Sequence, residues 1–217
     1  MKAFKKIFLA AIVVGVSLGH AYAGTVTFED VVPGQTSFFT SGGYDFSFNA
    51  ASAAVVINVQ YCSPSCPVNG TNIALLPFGP NPLTMTKNNG GPFSLFGFEG
   101  AGSFNFNESG FSTYIPNQID VIGNVANGGQ VTQSFLIDKS VQSGPLAFSS
   151  YTFNGLFTNL TSVSFSSSGS VNSFSNGFAV DNISVSAVPE PTTAALLGLG
   201  LLGVAASRRK LAKSKAA

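Results

Sequence analysis

Tryptophan is absent, histidine occurs once, cysteine and methionine twice each, and charged residues make up only 9% of the chain. The one histidine, His20, lies in an N-terminal apolar stretch, so the body beyond it has no imidazole for a Ser-His-Asp or Cys-His nucleophilic site or for metal ligation. Paired carboxylates remain, with Glu99 and Glu108 the obvious pair. Glu99-Gly100 and Glu108-Ser109 stand in Gly/Asn/Ser-rich sequence, however, which gives no sign of a cleft. The composition speaks against catalysis. Lack of tryptophan also removes the largest sugar-stacking platform, leaving Tyr44, Tyr61, Tyr114 and Tyr151 as aromatic ligand candidates, while most of the 21 phenylalanines are expected to fill a core.

Basic residues are scarce everywhere except at the two ends. Between Gly24 and Ala187 only Lys87 and Lys139 face eight acids, namely Glu29, Asp30, Asp45, Glu99, Glu108, Asp120, Asp138 and Asp181, which leaves a net charge of −6. A body of that sign offers no cationic face for phosphate, so nucleic acid is excluded as a partner.

The ends read as processing segments. Lys2, Lys5 and Lys6 precede an apolar run from Ile7 to Leu18, and Ala21-Tyr22-Ala23 is a small-x-small site, so residues 1–23 are expected to be a signal peptide handled by the Sec machinery, with Gly24 the first mature residue. At the other end, Pro189-Glu190-Pro191 cannot continue a helix or strand and stays extended. Behind it, Thr192 to Ala206 is apolar and uncharged but shorter than the roughly 20 residues a membrane-spanning helix wants. Arg208, Arg209 and Lys210 follow, then Lys213 and Lys215, and the positive-inside bias keeps them in the cytoplasm with the Pro-Glu-Pro on the outer side.

Val188 to Lys210 resembles the PEP-CTERM sorting domain of Gram-negative surface proteins: Pro189, Glu190 and Pro191 match the recognition triplet, Thr192 to Ala206 the membrane segment, and Arg208 to Lys210 the basic stop. The resemblance implies an exosortase as partner, a transient inner-membrane intermediate, final placement at the cell surface or in the extracellular matrix, and a link to exopolysaccharide and biofilm. The division is then 1–23 signal peptide, 24–187 ectodomain, 188–210 sorting signal and 211–217 cytoplasmic tail.

The ectodomain carries short alternating runs rich in Phe, Val, Thr and Ser, broken by Gly, Asn and Pro, which predict an all-β, antiparallel β-sandwich. Expected strands are 25–28, 44–48, 54–60, 73–76, 93–99, 118–122, 131–137, 147–153, 161–167 and 177–186, with a hairpin at Asn127-Gly128-Gly129 and a turn at Asn176-Gly177. Helices are expected only in the signal peptide and the short membrane segment. The opening Thr25-Val26-Thr27-Phe28-Glu29-Asp30 and closing Phe178-Ala179-Val180-Asp181-Asn182-Ile183 are similar to the first and last strands of galactose-binding-like, carbohydrate-binding jelly rolls, where the two often lie side by side and can share a structural calcium. Glu29, Asp30 and Asp181 are the oxygen donors that the resemblance offers for it; the competing reading is that Asp181 and Asn182 make only local hydrogen bonds. Cys62 and Cys66, in Tyr-Cys-Ser-Pro-Ser-Cys-Pro, are expected to form a small-loop disulfide after export; two thiolates without further soft ligands leave zinc short of donors. The triplets Asn69-Gly70-Thr71 and Asn159-Leu160-Thr161 carry no glycosylation meaning in a bacterium. Two functions follow: a non-catalytic matrix protein processed by exosortase, or a carbohydrate-binding module with a specific glycan site.

Overall fold

Side-chain alternation, with apolar groups at every second position, lets a strand bury one face, and the computed structural model shows this pattern through most of its strands. It describes residues 23–48, 54–57, 67, 69–76, 81–102, 116–139, 147–169 and 177–187. The strands are β1 (Ala23–Val26), β2 (Gly34–Thr36), β3 (Phe38–Ser41), β4 (Tyr44–Phe48), β5 (Ala54–Ile57), β6 (Ile73–Leu76), β7 (Leu83–Lys87), β8 (Phe93–Gly102), β9 (Gln118–Val125), β10 (Gln130–Leu136), β11 (Ser149–Thr152), β12 (Leu160–Ser168) and β13 (Phe178–Ala187). No helix occurs among the described residues.

All pairings are antiparallel and fall into two groups. The first sheet runs β2-β5-β6-β13-β8-β11, with β1 paired to β13 beyond the short β6. The second runs β3-β4-β7-β12-β9-β10. A single pair, Leu160 opposite Phe93, makes the ladder continuous between them. The sheets face one another through aromatic rings: Phe98 of β8 meets Phe165 of β12 edge-on at 5.4 Å and Phe135 of β10 at 5.1 Å, and Tyr44 of β4 meets Phe93 at 5.3 Å. Phe28, Phe46, Phe93, Phe157, Phe165 and Phe178 are fully buried, and each such side chain contributes about 1.5–3 kcal/mol relative to exposure. An antiparallel sandwich was expected, and a sandwich forms.

The differences are local. β1 stops at Val26 and not at Phe28, because Phe28 adopts a left-handed backbone (φ 59°) that turns the chain, and Val31 N–H donates to its carbonyl at 3.1 Å. β8 extends beyond the expected end at Glu99 to Gly102, so Glu99 stands inside a strand and the Glu99-Gly100 step is not in a loop. β2, β3 and β7 were not foreseen. The Asn127-Gly128-Gly129 hairpin forms between β9 and β10, with Val125 N–H bonded to the Gly129 carbonyl at 3.1 Å. The expected signal and membrane helices, Cys62 and Cys66, Glu108, Tyr61, Tyr114 and Asn176 lie outside the described residues.

Candidate functional site

β1 lies beside the end of β13, with Val26 opposite Ile183, and this brings the ends of the ectodomain together around a carboxylate cluster. Asp181 of β13 sits opposite Glu99 of β8, two acids at one cross-strand position, an arrangement that is destabilising unless something neutralises it. The register slips just after Asp181, and Asn182 takes a left-handed backbone (φ 48°), so a bulge presents both neighbours toward the same place. The Asn182 amide donates to Glu99 Oε2 at 2.9 Å.

The segment 69–72 closes over this pair. Asn69 Nδ2 donates to Asp181 Oδ2 at 2.7 Å and reaches Glu99 Oε2 at 3.4 Å. The Thr71 hydroxyl lies 2.8 Å from Asp181 Oδ2 and 2.7 Å from Asn69 Oδ1, and its one proton serves only one of them at a time. Asp181 is wholly buried, and its Oδ1 has no hydrogen-bond partner. Burial, joined by the charge of Glu99, pushes the Asp181 carboxyl above the usual carboxylate range despite the donors Asn69, Thr71 and the Asn182 backbone. A buried oxygen in that state wants a proton or a cation.

Glu29 and Asp30 take different tasks. Glu29 Oε1 accepts from the Asn72 N–H at 2.6 Å, while Asn72 Nδ2 donates to the carbonyls of Phe28 and Val31 at 3.2 and 3.3 Å. Asp30 turns to the β3–β4 corner, accepting from the Ser41 hydroxyl at 2.5 Å and the Gly42 N–H at 2.9 Å. Burial works against its charge, but those donors outweigh it and hold the carboxyl below the usual range. Glu29 and Asp181 thus grip the same 69–72 segment and Asp30 does not; among the described residues no three acidic, histidine or cysteine side chains converge as a metal site. Asp181, whose buried Oδ1 lacks a hydrogen-bond partner, and Glu99 opposite it are the two acids that meet here. Sequence reasoning named Asn182 beside Asp181 only as a local hydrogen-bonding pair, and missed Glu99, Asn69 and Thr71 as its partners.

The tyrosines divide. Tyr44 is buried against Phe93, so it offers no platform to a ligand, and Tyr151 is half-buried with its hydroxyl donating to the Leu136 carbonyl at 2.8 Å. The outer face of the second sheet is instead a field of short polar groups. One row across it reads Thr40, Asp45, Thr86, Ser162, Asn124 and Gln130; another contains Ser47, Thr84 and Ser164. Asp120 anchors a third part, accepting from Gln118 at 2.7 Å and from Ser134 and Ser168 at 2.5 Å each.

The segment after β13, residues 188–217, lies outside the described residues, but its sequence is diagnostic. Residues 187–210 match the model of the PEP-CTERM protein-sorting motif. The chain carries that motif. It marks an exported protein handled at the membrane by an exosortase, and its span takes in Pro189, Glu190, Pro191, Arg208, Arg209 and Lys210. No curated protein matches the chain. Among solved structures, the C-terminal family 22 carbohydrate binding module of Clostridium thermocellum Xyn10B is 12% identical, with 76% of this chain and 92% of that one covered and a TM-score of 0.39. The CBM22-1 xylan-binding domain of Paenibacillus barcinonensis Xyn10C is 11% identical (79% and 97% covered, TM-score 0.34), and the K3 cleaved adhesin domain of Lys-gingipain from Porphyromonas gingivalis W83 is 11% identical (77% and 100% covered, TM-score 0.30). Likeness of this degree transfers no ligand and no site residue to the sorting-motif protein.

Proposed function

We propose that this chain is the precursor of a non-catalytic surface or extracellular-matrix protein of a Gram-negative bacterium, whose sandwich is displayed or released among exopolysaccharide after an exosortase acts at Pro189–Pro191. The sorting motif at 187–210 carries the reading. In it, residues 1–23 direct Sec export and are cut off by a signal peptidase that hydrolyses the Ala23–Gly24 bond, the short apolar run holds the precursor in the inner membrane, and the extended triplet is presented to the exosortase. Replacing Glu190, or both prolines, is expected to leave full-length protein in the inner membrane. Mass spectrometry of surface or matrix material decides it: recovery of the mature protein with its C-terminus intact through Ala217 overturns the proposal.

The polar face of the second sheet supports a second reading, in which the sandwich itself binds a glycan by hydrogen bonds from Thr, Ser, Asn and Asp side chains. Saturable binding of the mature protein on a glycan array is its expected signature, and absence of binding leaves the structural role alone. In either case the carboxylate pair is the place we assign to a structural calcium ion, with Asp181 and Glu99 as oxygen donors; it would neutralise two acids that face each other and fix segment 69–72.

A further inference from the structure

The strand that hands the chain to the sorting motif is an interior strand. β13 ends at Ala187, and only Val188 separates it from Pro189. Along one side its end pairs with β8, Val185 with Leu95, Ser186 with Ser94 and Ala187 with Phe93. Along the other it pairs with β1, Ser184 with Thr25, Val185 with Gly24 and Ser186 with Ala23. Ile183 and Val185 are buried between the sheets. Because the pairing is antiparallel, the two ends of the mature sandwich lie side by side: Gly24, the expected first mature residue, stands opposite Val185, and β13 runs on to Ala187.

An enzyme that cuts a chain holds extended residues on both sides of the bond. Cutting transfers the acyl carbon to water or an acceptor amine, and the tail leaves as a free amine. Upstream of the triplet the available residues are Val188 and then Ala187, Ser186 and Val185, whose backbone is already committed to β8 and β1. We infer that removal of the tail and completion of the first sheet compete for Ser184–Ala187, so that cutting is fast while β1 and the end of β13 are undocked and slow once they close. This rests on the proposed sorting at Pro189–Pro191. Cleavage of such a site follows the population of the opened strand end.

The test is a pulse-chase of the full chain in cells carrying the processing enzyme. A flexible Gly/Ser stretch of about six residues inserted between Ala187 and Val188 supplies free extended chain without touching the sheet. It is expected to speed tail removal about tenfold, the factor for no longer having to expose a buried valine. Val185→Ala, which loosens the same rung, should speed it a few-fold, and the same stretch inserted in the Asn127–Gly129 hairpin should leave the rate unchanged. Equal rates for the wild type and the Ala187–Val188 insertion overturn the inference while leaving the sorting reading intact, as does equal acceleration by the hairpin insertion. A wild type and insertion variant that both keep their tails overturn the sorting reading and this inference with it.

Discussion

Asp181, whose buried Oδ1 has no hydrogen-bond partner while Asn69 and Thr71 reach its Oδ2, carries the least satisfied side-chain oxygen among the described residues, and its behaviour with pH follows. The folded protein raises the Asp181 pKa, so between the ordinary aspartate value near 3.9 and the folded value the native state keeps a proton that the unfolded chain has released. The stabilisation is therefore complete below the unfolded value and is lost as pH rises through the folded one. Asp30 acts oppositely, losing its contribution on acidification through a pKa below the ordinary range, outside that window. The metal-stripped ectodomain is expected to melt lower at about pH 7.5 than at about pH 4, because the stabilisation falls from the ordinary aspartate value upward. Calcium should remove the difference by occupying the ionised pair, and Asp181→Asn should be flat with pH and insensitive to calcium. Melting curves with chelator and with calcium check this; an Asp181→Asn profile like that of the wild type would sink it. An unmet buried polar group costs about 1–3 kcal/mol, which shifts melting of a domain this size by several degrees. Of this cluster, Asp181 and Glu29 were singled out by the resemblance of the opening and closing strands to those of jelly rolls, although Asp181 stands inside β13 and not at its end. Glu99 was not, since only the β8–β13 register, a tertiary fact, places it opposite Asp181.

At the scale of elements, strands with strong alternation and clean turn signals were legible: β4 and β6 have the expected bounds, and β9, β10, β12 and β13 differ from theirs at the ends by at most a few residues. β7 was missed although Leu83-Thr84-Met85-Thr86 alternates, because Pro80 and Pro82 before it read as a loop. The β3–β4 hairpin was missed because Phe38-Phe39 and Tyr44-Asp45-Phe46 meet through Ser41-Gly42-Gly43, where φ is 57° and 82° at the two glycines. β2 is three residues long and carries no periodic signal. The close packing of β8 on β11 was likewise invisible. A Cβ on Gly97 would lie 2.6 Å from the Tyr151 carbonyl oxygen, a backbone atom of the adjacent strand that moves only if the ladder moves. Gly97→Ala is expected to cost about 1–3 kcal/mol by overpacking and to detach β11. Thermal melting together with amide exchange at Ser149–Thr152 measures it; unchanged stability and protection would show that the two strands part without cost.

For the molecule as a whole, one strand decides what can be removed. β13 lies between β8 on one side and β6 and β1 on the other, and every strand from β1 to β13 falls between Ala23 and Ala187. The aromatic pairs joining the sheets, Phe98 with Phe165 and Tyr44 with Phe93, fall between Gly24 and Ala187, and signal removal takes from the described strands only Ala23, the first residue of β1. A chain of Gly24 to Ala187 is accordingly expected to fold alone as a soluble, β-rich monomer. One ending at Asn176 lacks β13 and loses the burial of Phe178, Val180, Ile183 and Val185 together, leaving β6 and β8 with facing open edges. It should be insoluble or unfolded. Far-ultraviolet circular dichroism and size-exclusion chromatography of the two proteins separate the outcomes: a helix-dominated or aggregated Gly24–Ala187 protein, or a cooperatively folded one ending at Asn176, would show that the core is not organised around the strand that leads to the sorting motif.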